Sequence, residues 1–130
     1  MLLDSNIVIY GASSEHPAVD AILDRTDLAV ASLTQIETLG YYRLSEIEQR
    51  WLDLAFGRMR ILALDDAIVL RAIALRQECK MDLADAVIAA TALVHDLLLV
   101  TRNVDDFAHV AGLKLVNPFV SEPPDVSPPG

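Results

Sequence analysis

The stretch that decides the fold is Asp82-Leu83-Ala84-Asp85-Ala86-Val87-Ile88-Ala89-Ala90-Thr91-Ala92-Leu93-Val94-His95-Asp96-Leu97-Leu98-Leu99-Val100-Thr101. Its first part reads as an Ala-rich helix, opened by Asp82 as N-cap and running through Val94. Its second part, Leu97 to Val100, is an unbroken aliphatic run that ends at Thr101. Such a run has no polar side to turn to water, so it belongs to a strand covered on both faces. A helix feeding directly into a strand of this kind is the unit of a parallel α/β sheet. The apolar run from Ala84 to Val100 is also the longest in the chain, yet Asp85, His95 and Asp96 break it. It is too short and too charged to span a bilayer.

Outward from there, strands and helices alternate along the chain. Met1 to Leu3 reads as a short strand ending at Asp4, and Ser5 to Ser13 as the start of a helix. Pro17 suits the first position of a helix carrying Ala18, Ala21, Ile22 and Leu23. Leu28 to Ala31 is a second strand. Ser32 is expected as an N-cap with Gln35 as its capping-box partner, for a helix presenting Ile36, Leu39 and Tyr42 on one side. Ser45 and Glu48 repeat that spacing before a helix to Arg58, whose apolar positions are Ile47, Trp51, Leu54 and Ala55. Ile61 to Leu64 is a third strand. Asp65 or Asp66 caps a helix from Ala67 to about Lys80, with an apolar face of Val69, Leu70, Ile73 and Ala74. Asn103 to Val110 is a short helix or turn, and Leu113 to Val116 the last strand.

The expectation is an α/β domain over residues 1–120, with three layers, α/β/α, around a central parallel sheet. The tail from Ser121 to Gly130 holds four of the six prolines and no aliphatic cluster, and is expected to be disordered.

Composition sets limits. A domain of 130 residues buries roughly two thirds of its unfolded surface. An apolar share of 53% and a mean hydropathy of +0.37 fill a core. The single cysteine, Cys79, excludes an intrachain disulfide framework and a multi-cysteine zinc site. It fits a reducing cytoplasm. Asp4 interrupts the first apolar run and no basic segment precedes it, so no signal peptide is expected. The net charge of −9 argues against broad nonspecific nucleic-acid binding. Contact with nucleic acid has to use local positive patches or charge supplied by a partner.

Four motifs put a carboxylate or amide at the edge of an apolar run: Leu3-Asp4-Ser5-Asn6, Ser32-Leu33-Thr34-Gln35-Ile36-Glu37, Leu83-Ala84-Asp85 and Thr101-Arg102-Asn103-Val104-Asp105-Asp106. In open parallel sheets, ligands bind beyond the carboxyl ends of the strands. Asp4 follows the first strand and Thr101 to Asn103 the fourth. Glu37 lies in the second turn of the helix after the second strand, and Asp85 in the first turn of its own helix. All can gather at one end of the sheet. A helix N-terminus favours negative charge by roughly 0.3–1 kcal/mol, too little to neutralise several packed carboxylates, which raise one another's pKa. A divalent cation removes the conflict, and Mg²⁺ or Mn²⁺ suits oxygen ligands. No His or Cys is expected to accompany the set, which weighs against zinc, and His16, His95 and His109 fall in surface segments. A small acidic Mg²⁺ site points to phosphate chemistry, with one ion or two.

Taken singly, each residue has a plainer reading. Asp4 serves as a turn residue, Glu37 as a solvated helix residue, Asp85 as the third helical residue behind Asp82, and Asp105 and Asp106 as turn caps. The joint pattern outweighs these. Ser5, Asn6 and Thr101 are candidates for orienting ligands. Arg102 suits phosphate contact and plain surface exposure equally. Arg43, Arg50, Arg58 and Arg60 read as a solvated face, and Tyr41, Tyr42 and Trp51 as core or interface. A phosphoacceptor receiver domain would want paired acids after the first strand and a Lys after the last; here Asp4 stands alone and Asn117-Pro118 follows. A haloacid-dehalogenase-type phosphatase would want an Asp where Asn6 stands.

In their order and spacing these motifs resemble the PIN-domain ribonucleases of the VapC toxin family, from bacterial type II toxin–antitoxin systems. Leu3-Asp4-Ser5-Asn6 resembles the family's opening strand and first metal Asp, Glu37 its second acid, and Asp85 in Asp85-Ala86-Val87-Ile88-Ala89-Ala90-Thr91-Ala92 its third. Leu99 to Phe107 resembles the fourth block and Leu113 to Phe119 the closing strand, so the likeness runs from residue 1 to about 119. The resemblance implies a PIN-like fold and a cytoplasmic, Mg²⁺-dependent endoribonuclease that hydrolyses RNA with metal-activated water, Mn²⁺ being a possible substitute. It implies a homodimer and a cognate VapB-like antitoxin, with no membrane partner. It also implies Asp4 and Asp85 as direct metal ligands, with Glu37 and Asp106 completing the catalytic set. One departure stands out. Many PIN domains place an acid two residues after the Thr of the fourth block, and here that residue is Asn103. The alternative is a catalytically weak or silent module that acts through partner binding.

Overall fold

Leu2 and Leu3, adjacent in sequence, enter two different hydrophobic clusters, one on each face of a sheet. Successive strand residues point to opposite faces, and the same split separates Ala29 and Ala31 from Val30, and Leu99 from Val100. In this computed structural model, residues 1–13 and 16–119 are described. The expected disordered tail, residues 121–130, lies outside them.

The strands are β1 (Leu2–Leu3), β2 (Ala29–Ala31), β3 (Arg60–Leu62), β4 (Leu99–Val100) and β5 (Leu115–Val116). They form one parallel sheet in the order β3-β2-β1-β4-β5. The helices are α1 (Ser5–Ser13), α2 (Pro17–Leu23), α3 (Ser32–Leu39), α4 (Glu46–Gly57), α5 (Asp66–Glu78), α6 (Leu83–Val94) and α7 (Val104–Phe107). One face of the sheet packs on buried residues of α5, α6 and α7, the other on those of α1, α2 and α4. The expected three-layer parallel architecture is therefore present. The sheet grows from β1 toward β3, then reverses to β4 and β5. The reversal between β1 and β4 is a topological switch point, where open α/β sheets bind ligands.

Local chemistry explains several boundaries. Ser45 caps α4 with the full capping box: its hydroxyl accepts from Glu48 N–H, and Glu48 accepts from Ser45 N–H, both at 3.1 Å. Asp65 caps α5, accepting from Ile68 N–H at 3.0 Å. Ser32 is not a cap. β2 runs directly into α3, so the last strand residue, Ala31, holds the N-cap position without a side-chain bond. Asp82 holds the N-cap position of α6 but makes no side-chain cap bond. After α6, Asp96 takes the left-handed conformation (φ 53°), and Leu97 N–H bonds Ala92 C=O at 2.8 Å. This Schellman-type turn consumes Leu97 and leaves β4 only Leu99–Val100. β3 and β5 likewise differ from expectation, spanning Arg60–Leu62 and Leu115–Val116.

Three helix faces depart from the apolar pattern. In α5 the buried residues are Ile68, Ala72 and Leu75, whereas Val69, Leu70 and Ile73 are 39%, 68% and 49% exposed. In α4, Leu52 and Phe56 are buried, with Ile47 and Leu54 exposed. α3 buries Thr34 and Thr38 while Ile36 and Tyr42 face solvent. α4 and α5 carry two overlapping apolar stripes, of which the partner surface selects one, whereas α3 buries a pair of threonines. For α5 the partner is α6, whose buried Ala86, Ala89 and Ala90 allow close approach. Among the described residues, no helix is long and apolar enough to cross a membrane.

Candidate active site

The site starts from strand register. Leu3 pairs with Val100, so the chain leaves β1 and β4 side by side. Asp4 N–H donates to Val100 C=O at 2.9 Å, and Thr101 Oγ1 donates to Asp4 Oδ2 at 2.8 Å. Thr101 Oγ1 in turn accepts from Asn103 N–H at 3.1 Å. Asp4 is buried, and burial pushes its carboxyl above the usual range. The Thr101 hydroxyl and the N–H groups of Ser5 and Asn6 pull it down, while the charge of Glu37 pushes it up.

Ser5 connects α1 to α3. Its hydroxyl donates to Glu37 Oε1 at 2.6 Å and lies 2.9 Å from Thr34 Oγ1. A hydroxyl has one proton to give, so Thr34 is the donor toward Ser5. Thr34, buried and one helical turn before Glu37, is a site residue that the sequence motif does not single out. Its i, i+3 spacing to Glu37 is the sequence signal that links them.

Asp85 is the third residue of α6, half-buried. Its carboxyl is pushed up to about 6, first by burial and then by the charges of Asp4, Asp106, Asp82 and Glu37. The other three expected acids, Asp4, Glu37 and Asp106, therefore sit within electrostatic reach of Asp85. Asp106, exposed in α7, lines a cavity of about 340 Å³ together with Asp85. Cys79 and His109 line that cavity too, which corrects the expectation that no His or Cys accompanies the acids. Asn103 is exposed and holds the N-cap position of α7 without a side-chain cap bond.

The donor set can be tested against a divalent cation. Among the described residues the only ion pair is Arg25–Asp27, so no basic side chain compensates Asp4 or Asp85. No group of three or more His, Cys, Asp or Glu side chains among them could hold a metal ion as it stands. Mg²⁺ commonly uses one or two carboxylates and fills its shell with water. Two uncompensated carboxylates with raised pKa values fit that mode, and do not fit a closed all-protein cage.

A family model described as PIN domain matches residues 1–113. Among solved structures the chain is similar to a toxin–antitoxin complex from Klebsiella pneumoniae, with 35% identity and a TM-score of 0.78, covering 91% of this chain and 97% of that one. It is similar to FitAcB from Neisseria gonorrhoeae, with 26% identity and a TM-score of 0.74, covering 90% and 96%. It shares the fold of DNA-bound VapBC from Salmonella typhimurium, with 21% identity and a TM-score of 0.76, covering 90% and 96%. No curated protein matches the chain.

Proposed function

The chain belongs to the PIN-domain family, and on that premise we propose that it is the toxin of a VapBC-type toxin–antitoxin module, a Mg²⁺-dependent endoribonuclease. The observation that carries the reading is the pairing of Asp4 and Asp85. Both are carboxylates of raised pKa beside the switch point, with no basic partner among the described residues. These two residues would hold the cation, Mg²⁺ or Mn²⁺. When bound, the ion supplies a more acidic water and charge neutralisation at the phosphate. Thr101 keeps Asp4 in one orientation. Ser5 holds one oxygen of Glu37 and so fixes that carboxylate in place. Asp106 completes the pocket from α7.

Likeness to toxin–antitoxin complexes supports a cognate VapB-like antitoxin as partner, and the charge of −9 suits a basic one. A homodimer, an RNA substrate, a cytoplasmic location and a nuclease unit of residues 1–120 belong to the same proposal. A second reading, a catalytically silent module acting through its partner, is favoured by Asn103 standing where the family's acid is expected.

Inducible expression in a bacterium with mapping of RNA ends separates the two readings. Growth arrest with discrete cleavage sites, both lost in Asp4→Asn, is the expected result. Absence of arrest and cleavage in the wild type favours the silent module.

A further inference from the structure

We propose that the cavity between α1 and the segments following β4 and β5 is a subsite for one unpaired RNA nucleotide, on the Asp4 side of the acidic site; this rests on the ribonuclease reading above. The cavity measures about 280 Å³, and Asn6, Tyr10, Arg102, Asn103 and Phe119 are among its lining residues. Small-ligand sites begin at roughly 300 Å³. It adjoins the acids through the backbone. Asn6 follows Asp4 by two residues in the first turn of α1, and Asn103 N–H bonds the Thr101 hydroxyl that holds Asp4. A nucleotide seated here would be a neighbour of Asp4.

Each part of a nucleotide has a counterpart. Arg102 is exposed, and its guanidinium lies 4.5 Å from the centroid of the Phe119 ring. It forms no ion pair among the described residues, so its charge is available to a phosphate. Phe119 is itself held. Tyr10 meets it edge-on at 4.9 Å, and its N–H donates to Asn117 Oδ1 at 2.9 Å. Asn117 Nδ2 donates to Arg102 C=O at 3.2 Å, tying the wall to the segment after β4. His16 also packs against Phe119, at 4.8 Å, so the Arg102 guanidinium backed by the Phe119 ring is the surface on which an unpaired RNA base stacks. The side-chain amides of Asn6 and Asn103, both exposed, each offer donors and an acceptor to a base edge. Asn103 then has a use other than metal binding. A base still paired in a duplex presents neither face, so the site selects single strands.

The test uses a short, fluorescently labelled single-stranded oligoribonucleotide of mixed sequence, titrated in EDTA against wild type, Phe119→Leu and Arg102→Gln. Steady-state cleavage and RNA-end mapping accompany it. Phe119→Leu is expected to weaken binding about 5- to 100-fold, to raise KM more than it lowers kcat, and to loosen the base preference at one position next to the cut. Arg102→Gln is expected to weaken binding and flatten its salt dependence. Wild type that binds and cuts RNA, with both variants unchanged in Kd and cleavage pattern, would overturn the subsite and leave the ribonuclease reading standing. Wild type that neither binds nor cuts removes both. Thermal melting checks folding, and if Phe119→Leu does not fold, the exposed Arg102→Gln decides.

Discussion

Thr101 donates its hydroxyl proton to Asp4 Oδ2 across 2.8 Å, bridging residues 97 apart in sequence at the ends of neighbouring strands. The bond sits where the sheet reverses its order, so it positions the most buried acid of the site from the adjacent strand. Thr101→Val keeps the shape and removes the donor. The expected cost is about 1–2 kcal/mol of stability, a further rise of the Asp4 pKa, and weaker Mn²⁺ binding at pH 7. Calorimetric titration and thermal melting check this. Unchanged Mn²⁺ affinity would show that Thr101 does not orient Asp4.

Asp4→Asn and Asp85→Asn are expected to abolish RNA cleavage while leaving the fold intact. Removing one of two repelling carboxylates relieves strain, so metal-free melting temperatures should hold or rise at pH 7. A collapse of the melting temperature in both variants would make these acids structural instead.

Chelation by EDTA is expected to stop cleavage, and Mg²⁺ or Mn²⁺ to restore it. Cleavage that persists under EDTA would remove the cation from the mechanism.

The raised pKa of Asp85, about 6 against an ordinary 3.8, fixes the sign of a pH effect. The folded protein binds this proton more tightly than the unfolded chain does, so its contribution to stability is full below 3.8 and is lost as pH rises through about 6. Metal-free protein should melt higher at pH 5 than at pH 7, and Asp85→Asn should flatten that difference. Cation binding runs the other way. Below about 6 the proton competes, weakening Mg²⁺ affinity by up to ~10-fold per pH unit. Identical pH profiles for wild type and Asp85→Asn would contradict the assignment.

On α5, Ile68→Ala is expected to cost about 2–5 kcal/mol, and Leu70→Ala at dilute protein concentration about 0.5 kcal/mol or less. Equal losses in chemical denaturation would mean that the helix turns a different face to the sheet.

The sequence by itself determined the parallel α/β architecture, because aliphatic runs such as Leu99–Val100 have no face suited to water, and because each is followed by a polar motif. It also allowed Asp4 and Glu37 to gather at one end of the sheet, since strand direction dictates which end the segment after a strand occupies, whereas Asp85 was placed by its position in the first turn of its helix and Asp106 by the family resemblance. Capping was legible where the side chain has a local partner, as in Ser45 with Glu48. It failed at Ser32 and Asp82, where no such local bond forms. The tertiary structure alone decided which of two apolar stripes on α5 is buried, because both Ile68-Ala72-Leu75 and Val69-Leu70-Ile73 satisfy helical periodicity and only the surface of α6 distinguishes them. It alone joined Ser5 to Thr34 and Glu37, and Thr101 to Asp4. Periodicity reports on neighbours within a few residues, whereas these bonds span 29 to 97 positions and exist only once the strands have paired.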